Sequence, residues 1–138
     1  MAATAAQIAR IRRMTNEPTE TDYDDDLVED YIEAYPLVDA RGEVPWVEST
    51  TTPGTLEENP DWTATYDLAA AAADIWAEKA SSLAGDFDFA ADGGNYSRSQ
   101  AYEQAMKSSR YWRARRSPVT MTMVPIPLAQ GTELLDDD

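Results

Sequence analysis

Tyr66-Asp67-Leu68-Ala69-Ala70-Ala71-Ala72-Ala73-Asp74-Ile75-Trp76-Ala77-Glu78-Lys79-Ala80 is the stretch that decides the fold. From Trp62 to about Leu83 there is neither glycine nor proline, and Asn59-Pro60-Asp61 supplies a helix start. Tyr66, Ala69, Ala73, Trp76 and Ala80 fall along one side, and Leu68, Ala72 and Ile75 widen that face. Alanine favours helix, and its small side chain lets a second helix approach closely. Gly85 stands where a C-terminal cap is expected. The pattern predicts one long helix.

Downstream, Asp86-Phe87-Asp88-Phe89 alternates polar and aromatic with the period of a half-buried strand. Asp92-Gly93-Gly94-Asn95 reads as a turn, and Ser97-Arg98-Ser99-Gln100 matches a capping box. A helix follows to about Arg115, expected to bury Tyr102, Ala105, Met106, Ser109 and Trp112. Lys107, Arg110 and Arg113 lie on its flank, and Arg115-Arg116 at its negative end. Pro118 stops it. Val119-Thr120-Met121-Thr122-Met123-Val124 alternates like a strand, Pro125-Ile126-Pro127-Leu128 stays extended, and an acidic tail runs from Gly131 to Asp138. This apolar stretch is either a last strand folded back on residues 86–89 or an arm laid on a neighbouring subunit; the prolines favour the arm.

Upstream, residues 3–14 read as a first helix with Ile8 and Ile11 on one side, ended by Thr15-Asn16-Glu17-Pro18. A second helix begins after Thr21-Asp22, with Asp24, Asp25 and Asp26 in its first turn, where the helix dipole favours acids. Leu27, Val28, Tyr31, Ile32 and Tyr35 form its apolar face, and Pro36 closes it. Residues 36–61, with Pro36, Pro45, Pro53 and Pro60, predict a long loop or short hairpin, pinned to the body by Trp46 and projecting as a contact loop.

Charge narrows the function. The chain has 138 residues, the size of one domain, and a net charge of −15. So acidic a chain is no general nucleic-acid binder. The charge is divided: from Glu17 to Asp67 there are 16 acidic residues and one basic, Arg41, whereas from Arg98 to Arg116 there are six basic and one acidic, Glu103. Such polarity allows copies to associate head to tail, although both sets also suit solvated helix faces. Cysteine and histidine are absent, so disulfides and the usual zinc and general-base residues are missing. No apolar run approaches 18 residues, and the arginine-bearing N-terminus lacks the apolar segment of a secretory signal. A soluble protein made inside the cell is the expectation.

The chemical motifs are weak. Asp22-Tyr23-Asp24-Asp25-Asp26-Leu27 with Glu33 fits a calcium loop at positions 1, 3, 5 and 12, but Leu27 replaces the glycine of position 6. Pairs such as Asp86 and Asp88, or Glu57 and Glu58, are unremarkable in so acidic a chain. Asp92-Gly93-Gly94-Asn95 lacks the lysine and hydroxyl of a phosphate loop. Tyr111 and Trp112 beside basic residues suit base stacking, but Trp112 falls on the expected buried face. Nothing supports an enzyme or a cofactor.

The order of four segments resembles the head-to-tail connector (adaptor, or head-completion) proteins of tailed bacteriophages. These are Ile8-Ala9-Arg10-Ile11-Arg12-Arg13-Met14-Thr15, the long alanine-rich helix, Phe87-Asp88-Phe89-Ala90-Ala91-Asp92-Gly93-Gly94 with Ser97-Arg98-Ser99-Gln100, and Arg110-Tyr111-Trp112-Arg113-Ala114-Arg115-Arg116. The resemblance leaves out the 36–61 loop and the last twenty residues. It implies a structural virion protein of the phage neck, made in the host cytoplasm, that forms a ring of about twelve copies under the portal. Double-stranded DNA would pass through the ring without specific binding, and a further neck or tail-terminator protein would bind below; no membrane is involved. The expected fold is mainly α: a four-helix body over residues 1–116 with a short β segment, then an extended arm and acidic tail over residues 117–138. On charge, the subunit interface is expected to join Arg98, Lys107, Arg110 and Arg113 of one copy to Asp24, Asp26 and Glu29 of the next. Portal docking is expected at Arg115, Arg116, Val119, Met121, Met123, Ile126 and Leu128. The rival reading is an acidic intracellular inhibitor that mimics DNA, with its acids along one elongated face and no need for self-association.

Overall fold

The computed structural model describes residues 2–87 and 95–118, with side chains for residues 2–84 and 99–118. Four helices and one small hairpin follow in the order α1 (Ala5–Thr15), α2 (Asp25–Glu33), β1 (Trp46–Glu48), β2 (Leu56–Glu58), α3 (Leu68–Phe87) and α4 (Asn95–Arg113). The protein is a mainly α body, and the four prolines and short strands of its middle section set the hairpin apart from the helices.

Local chemistry fixes the helix ends. Thr4 caps α1 through a reciprocal pair with Gln7: the Gln7 amide donates to Thr4 Oγ1 at 3.2 Å and the Thr4 amide to Gln7 Oε1 at 2.8 Å. Asn16 ends α1 in the left-handed conformation, φ 56°, which asparagine tolerates better than most residues. Asp24 caps α2 by accepting from the Leu27 amide at 2.8 Å, with Asp25 and Asp26 in the first turn.

The helix α3 begins at Leu68, six residues later than Trp62. Residues 62–67 are instead drawn into extended pairing with the end of α2: the Leu37 amide donates to Thr65 O at 2.8 Å and the Asp67 amide to Tyr35 O at 2.9 Å. Thr63 and Thr65, β-branched, suit that conformation. Trp62 is consequently a loop anchor, buried edge-on against Tyr66 with its indole N–H donating to Leu37 O at 2.8 Å. Asp67 then caps α3, accepting from the Ala70 amide at 3.1 Å.

At its far end α3 runs past Gly85 to Phe87, so Gly85 is no cap and Asp86-Phe87 is helix, not strand. A helical glycine costs only about 1 kcal/mol against alanine. The rest of the expected 86–89 strand and the glycine turn lie outside the described residues. The helix α4 starts at Asn95, which puts Ser97 inside its first turn and removes it from the capping position. Among the described residues the β segment is the 46–58 hairpin.

The core gathers where α3 meets the other three helices. Ile11, Val28, Ile32 and Ile75 are the large apolar side chains with no more than 1% exposure. Tyr23, Trp62, Tyr66, Ala71 and Ala72 complete the cluster. All of Ala70, Ala71, Ala72 and Ala73 are buried, because helices cover α3 on several sides and its small residues admit them. The helix α4 lies antiparallel to α3, with Ser109 Oγ donating to Ala73 O at 3.0 Å and Ala105 buried beside it. Tyr102 and Leu27, expected inside, are each 37% exposed. No helix among the described residues is long and apolar enough to cross a membrane.

Candidate functional site

Three side-chain hubs make the body rigid. Arg12, its side chain only 12% exposed, pairs with Asp25 and donates from Nη1 to the carbonyls of Glu17, Thr19 and Tyr23 at 3.0–3.2 Å. The α1–α2 loop is wrapped around one guanidinium, whose planar fork of donors suits several carbonyls at once. Lys79 of α3 reaches the last turn of α1: Nζ donates to Thr15 O, pairs with Glu17, and lies 4.6 Å from the Trp76 ring centre. Tyr23, buried beside Glu78 and Glu17, has its phenol pushed up to about 12, burial being the larger cause.

The third hub is the base of the hairpin. Asp39 Oδ1 accepts from the amides of Arg41 at 2.8 Å and Glu43 at 3.0 Å, and Oδ2 from the Thr63 amide at 2.9 Å. These donors, Thr63 first, hold its carboxyl down at about 2. Gly42, at φ 87°, makes the tight return this Asx-centred loop needs. Across the neck of the hairpin, buried Asn59 donates from Nδ2 to Glu43 Oε2 at 3.0 Å and Val44 O at 2.9 Å.

From this base the hairpin projects. Its antiparallel register is Trp46↔Glu58, Val47↔Glu57 and Glu48↔Leu56, and among the described residues no helix lies against it. Trp46 does not pin the loop to the body; it is 44% exposed, and Leu56 is 70% exposed. Anchoring falls to Trp62 instead.

A cleft of about 270 Å³ opens beside the end of α4, lined by Tyr35, Ala70, Ala73, Asp74, Arg113 and Arg116. Tyr35 donates to Asp74, whose other oxygen lies 3.6 Å from Arg113, and Arg116 lies over the Tyr35 ring. Beside it the Ser117 amide donates to Asp67 Oδ2 at 2.8 Å. One aspartate thus caps α3 and holds the chain where it leaves α4.

The expected interface residues separate into free and committed groups. Lys107 and Arg110 are exposed on the outward face of α4, whereas Arg113 is drawn to Asp74. Arg98 lies in the first turns of α4. On α2, Asp24 is occupied as the cap, Asp26 is exposed, and Glu29 is half-buried near Glu33. Burial and then Glu29 raise the Glu33 carboxyl above its ordinary range. Arg115 stacks on Tyr111 at 3.5 Å from the ring centre. Val119, Met121, Met123, Ile126 and Leu128 lie outside the described residues.

Asp22 precedes α2, Asp24 caps it, Asp26 lies in its first turn and Glu33 ends it, so the acids that matched a calcium loop are spread along a helix. Among the described residues no three carboxylates gather as a metal would require. The described residues present a basic helix face, an end of α4 anchored through Ser117, and a hairpin carrying exposed apolar side chains. No family model, curated protein or solved structure matches the chain.

Proposed function

We propose that this chain is a head-to-tail adaptor of a tailed-bacteriophage virion, a non-enzymatic ring subunit between the portal and the rest of the neck. The observation that carries the reading is the anchored end of α4. Ser117 is held on Asp67 at the start of α3, next to the basic end of α4. A segment that continues from there can be laid into a groove or along a sheet edge of a larger ring, with Arg115 and Arg116 beside it.

Further support comes from the division of charge. The acids before residue 68 and the cations after residue 97 occupy separate elements, as copies arranged head to tail require. An acidic lumen lets DNA slide, since tight binding requires phosphates to be neutralised by cations. The four resembling segments are the further ground for choosing a phage neck over other assemblies.

The test is capture of the chain by the purified portal ring, with the full chain and with a chain stopped after residue 118. The full chain is expected to co-sediment with the ring. The shortened one is expected to keep its helical circular dichroism and fail to bind. Equal binding by both removes the C-terminal segment from the docking role, and binding by neither removes the adaptor reading.

A further inference from the structure

The hairpin carries exposed apolar side chains away from the described helices. Directly paired residues of neighbouring strands point to the same side, so Trp46, Glu48, Leu56 and Glu58 share one face. On it two exposed apolar side chains stand diagonally between two carboxylates. From residue 43 to residue 61 there are five acids and no base, and Val44 adds a further apolar side chain at 43% exposure. A stiff support is present beneath: Asp39 and Asn59 bind both ends of the loop through buried hydrogen bonds. An exposed tryptophan on a rigid, projecting element is the kind of group that anchors protein interfaces.

A matching surface exists on the same molecule. Lys107, Arg110 and Tyr111 are spaced three and four apart, so they lie together on the side of α4 that faces away from α3. All three are exposed, Tyr111 by 49%, and Arg115 is stacked on the Tyr111 ring. This face offers cations for Glu48 and aromatic surface for Trp46 and Leu56. Within one chain the two do not meet, because α4 does not lie against the hairpin.

We infer that the hairpin face of one copy docks on the outward face of α4 in a second copy of this chain. The inference rests on the ring-subunit reading above and names its subunit contact. It relocates the acidic partner from α2, where Asp24 is engaged as the cap and Glu29 is half-buried, to the hairpin. Donor and acceptor surfaces differ, so the contact is heterologous and propagates from copy to copy until a ring closes. A three-residue strand pair buries far less than a standard interface of about 1,600 Å². A single contact is therefore weak, and closure or a template supplies the remaining affinity through effective concentration.

Sedimentation equilibrium on two full-length variants tests this, at concentrations up to about 1 mM to match a weak contact. One carries Trp46→Ser with Leu56→Ser, which removes the hairpin anchors. The other carries Lys107→Glu with Arg110→Glu, which reverses the α4 face. The altered side chains are exposed, and far-ultraviolet circular dichroism checks that both variants stay folded. The wild-type chain is expected to associate beyond a dimer, and each variant alone to associate about tenfold more weakly or not at all. Mixed, the two variants retain one intact half-site each, so they are expected to form a one-to-one dimer that grows no further.

Association of either variant at wild-type strength overturns the contact while leaving the adaptor reading in place, since that reading is decided on the portal ring. A mixture that stays monomeric, or a wild-type chain that stays monomeric throughout the range, also overturns it.

Discussion

Replacing Lys79 with methionine tests whether α1 is locked to α3 through one ammonium group. Methionine keeps the length and apolar stem of the side chain, so what is removed is the charge and its donors. The lysine donates to Thr15 O at the end of α1 and pairs with Glu17, and the two side chains are only 17% and 16% exposed. A hydrogen bond involving a charged group contributes about 1.5–3 kcal/mol, and its removal here leaves a partly buried carboxylate without its cation. The contact with the Trp76 ring adds about 0.5–1 kcal/mol. A loss of about 2–4 kcal/mol follows, a large part of the roughly 5–15 kcal/mol that stabilises a domain. The melting temperature falls by about 10 °C. Urea unfolding followed by circular dichroism measures it, with tryptophan fluorescence as a local report from Trp76. Adding Glu17→Gln completes a double-mutant cycle, with an expected coupling of about 1–2 kcal/mol. A total loss below about 0.5 kcal/mol, or no coupling, would refute the lock.

Three further outcomes are expected. Arg12→Lys keeps the charge but loses the planar fork that serves three carbonyls and Asp25, and should cost about 1–2 kcal/mol in urea unfolding; a neutral result means the loop does not depend on that geometry. Asp39, held at about 2, contributes stability that is complete above the ordinary carboxylate range and is lost as pH falls toward 2; acid melts of the wild type should therefore steepen below pH 4 relative to Asp39→Asn, and parallel curves would count against the hairpin base. Tyr23, pushed up to about 12, contributes stability that is complete below pH 10 and is lost as pH rises from 10 to 12; Tyr35 and Tyr66 are raised as well, so absorbance at 295 nm should show a late tyrosine component that shrinks by one residue in Tyr23→Phe, and an unchanged amplitude there would count against the assignment.

The helical body was legible because its signals are local and periodic. Asp24 with its acidic neighbours marks a helix start, and the alanine run from 69 to 73 marks a helix that others can approach, whereas the Thr4–Gln7 cap of α1 was not read from the sequence. What escaped depends on pairing across distance. Trp62 and Tyr66 fit a helical stripe by spacing, yet hydrogen bonding to Leu37 and pairing with residues 35–37 hold them extended. Trp46 and Trp62 are chemically alike in sequence; which one is buried depends on the Asp39 and Asn59 loops. Of these, Asp39-Ala40-Arg41-Gly42-Glu43 carries a turn signal that a closer reading of aspartate and glycine spacing would have caught. Arg12 and Lys79 carry no signal of their own, because a lone cation in a helix reads as solvated until its carbonyl partners are placed.

The adaptor reading stands or falls on stoichiometry with the portal. Light scattering on the full chain at micromolar concentration, alone and mixed with the purified portal ring, measures it directly. The account predicts a monomer alone and a gain of about twelve copies on the ring. No gain in mass at any salt concentration would contradict it and leave the acidic DNA-mimic reading as the better account.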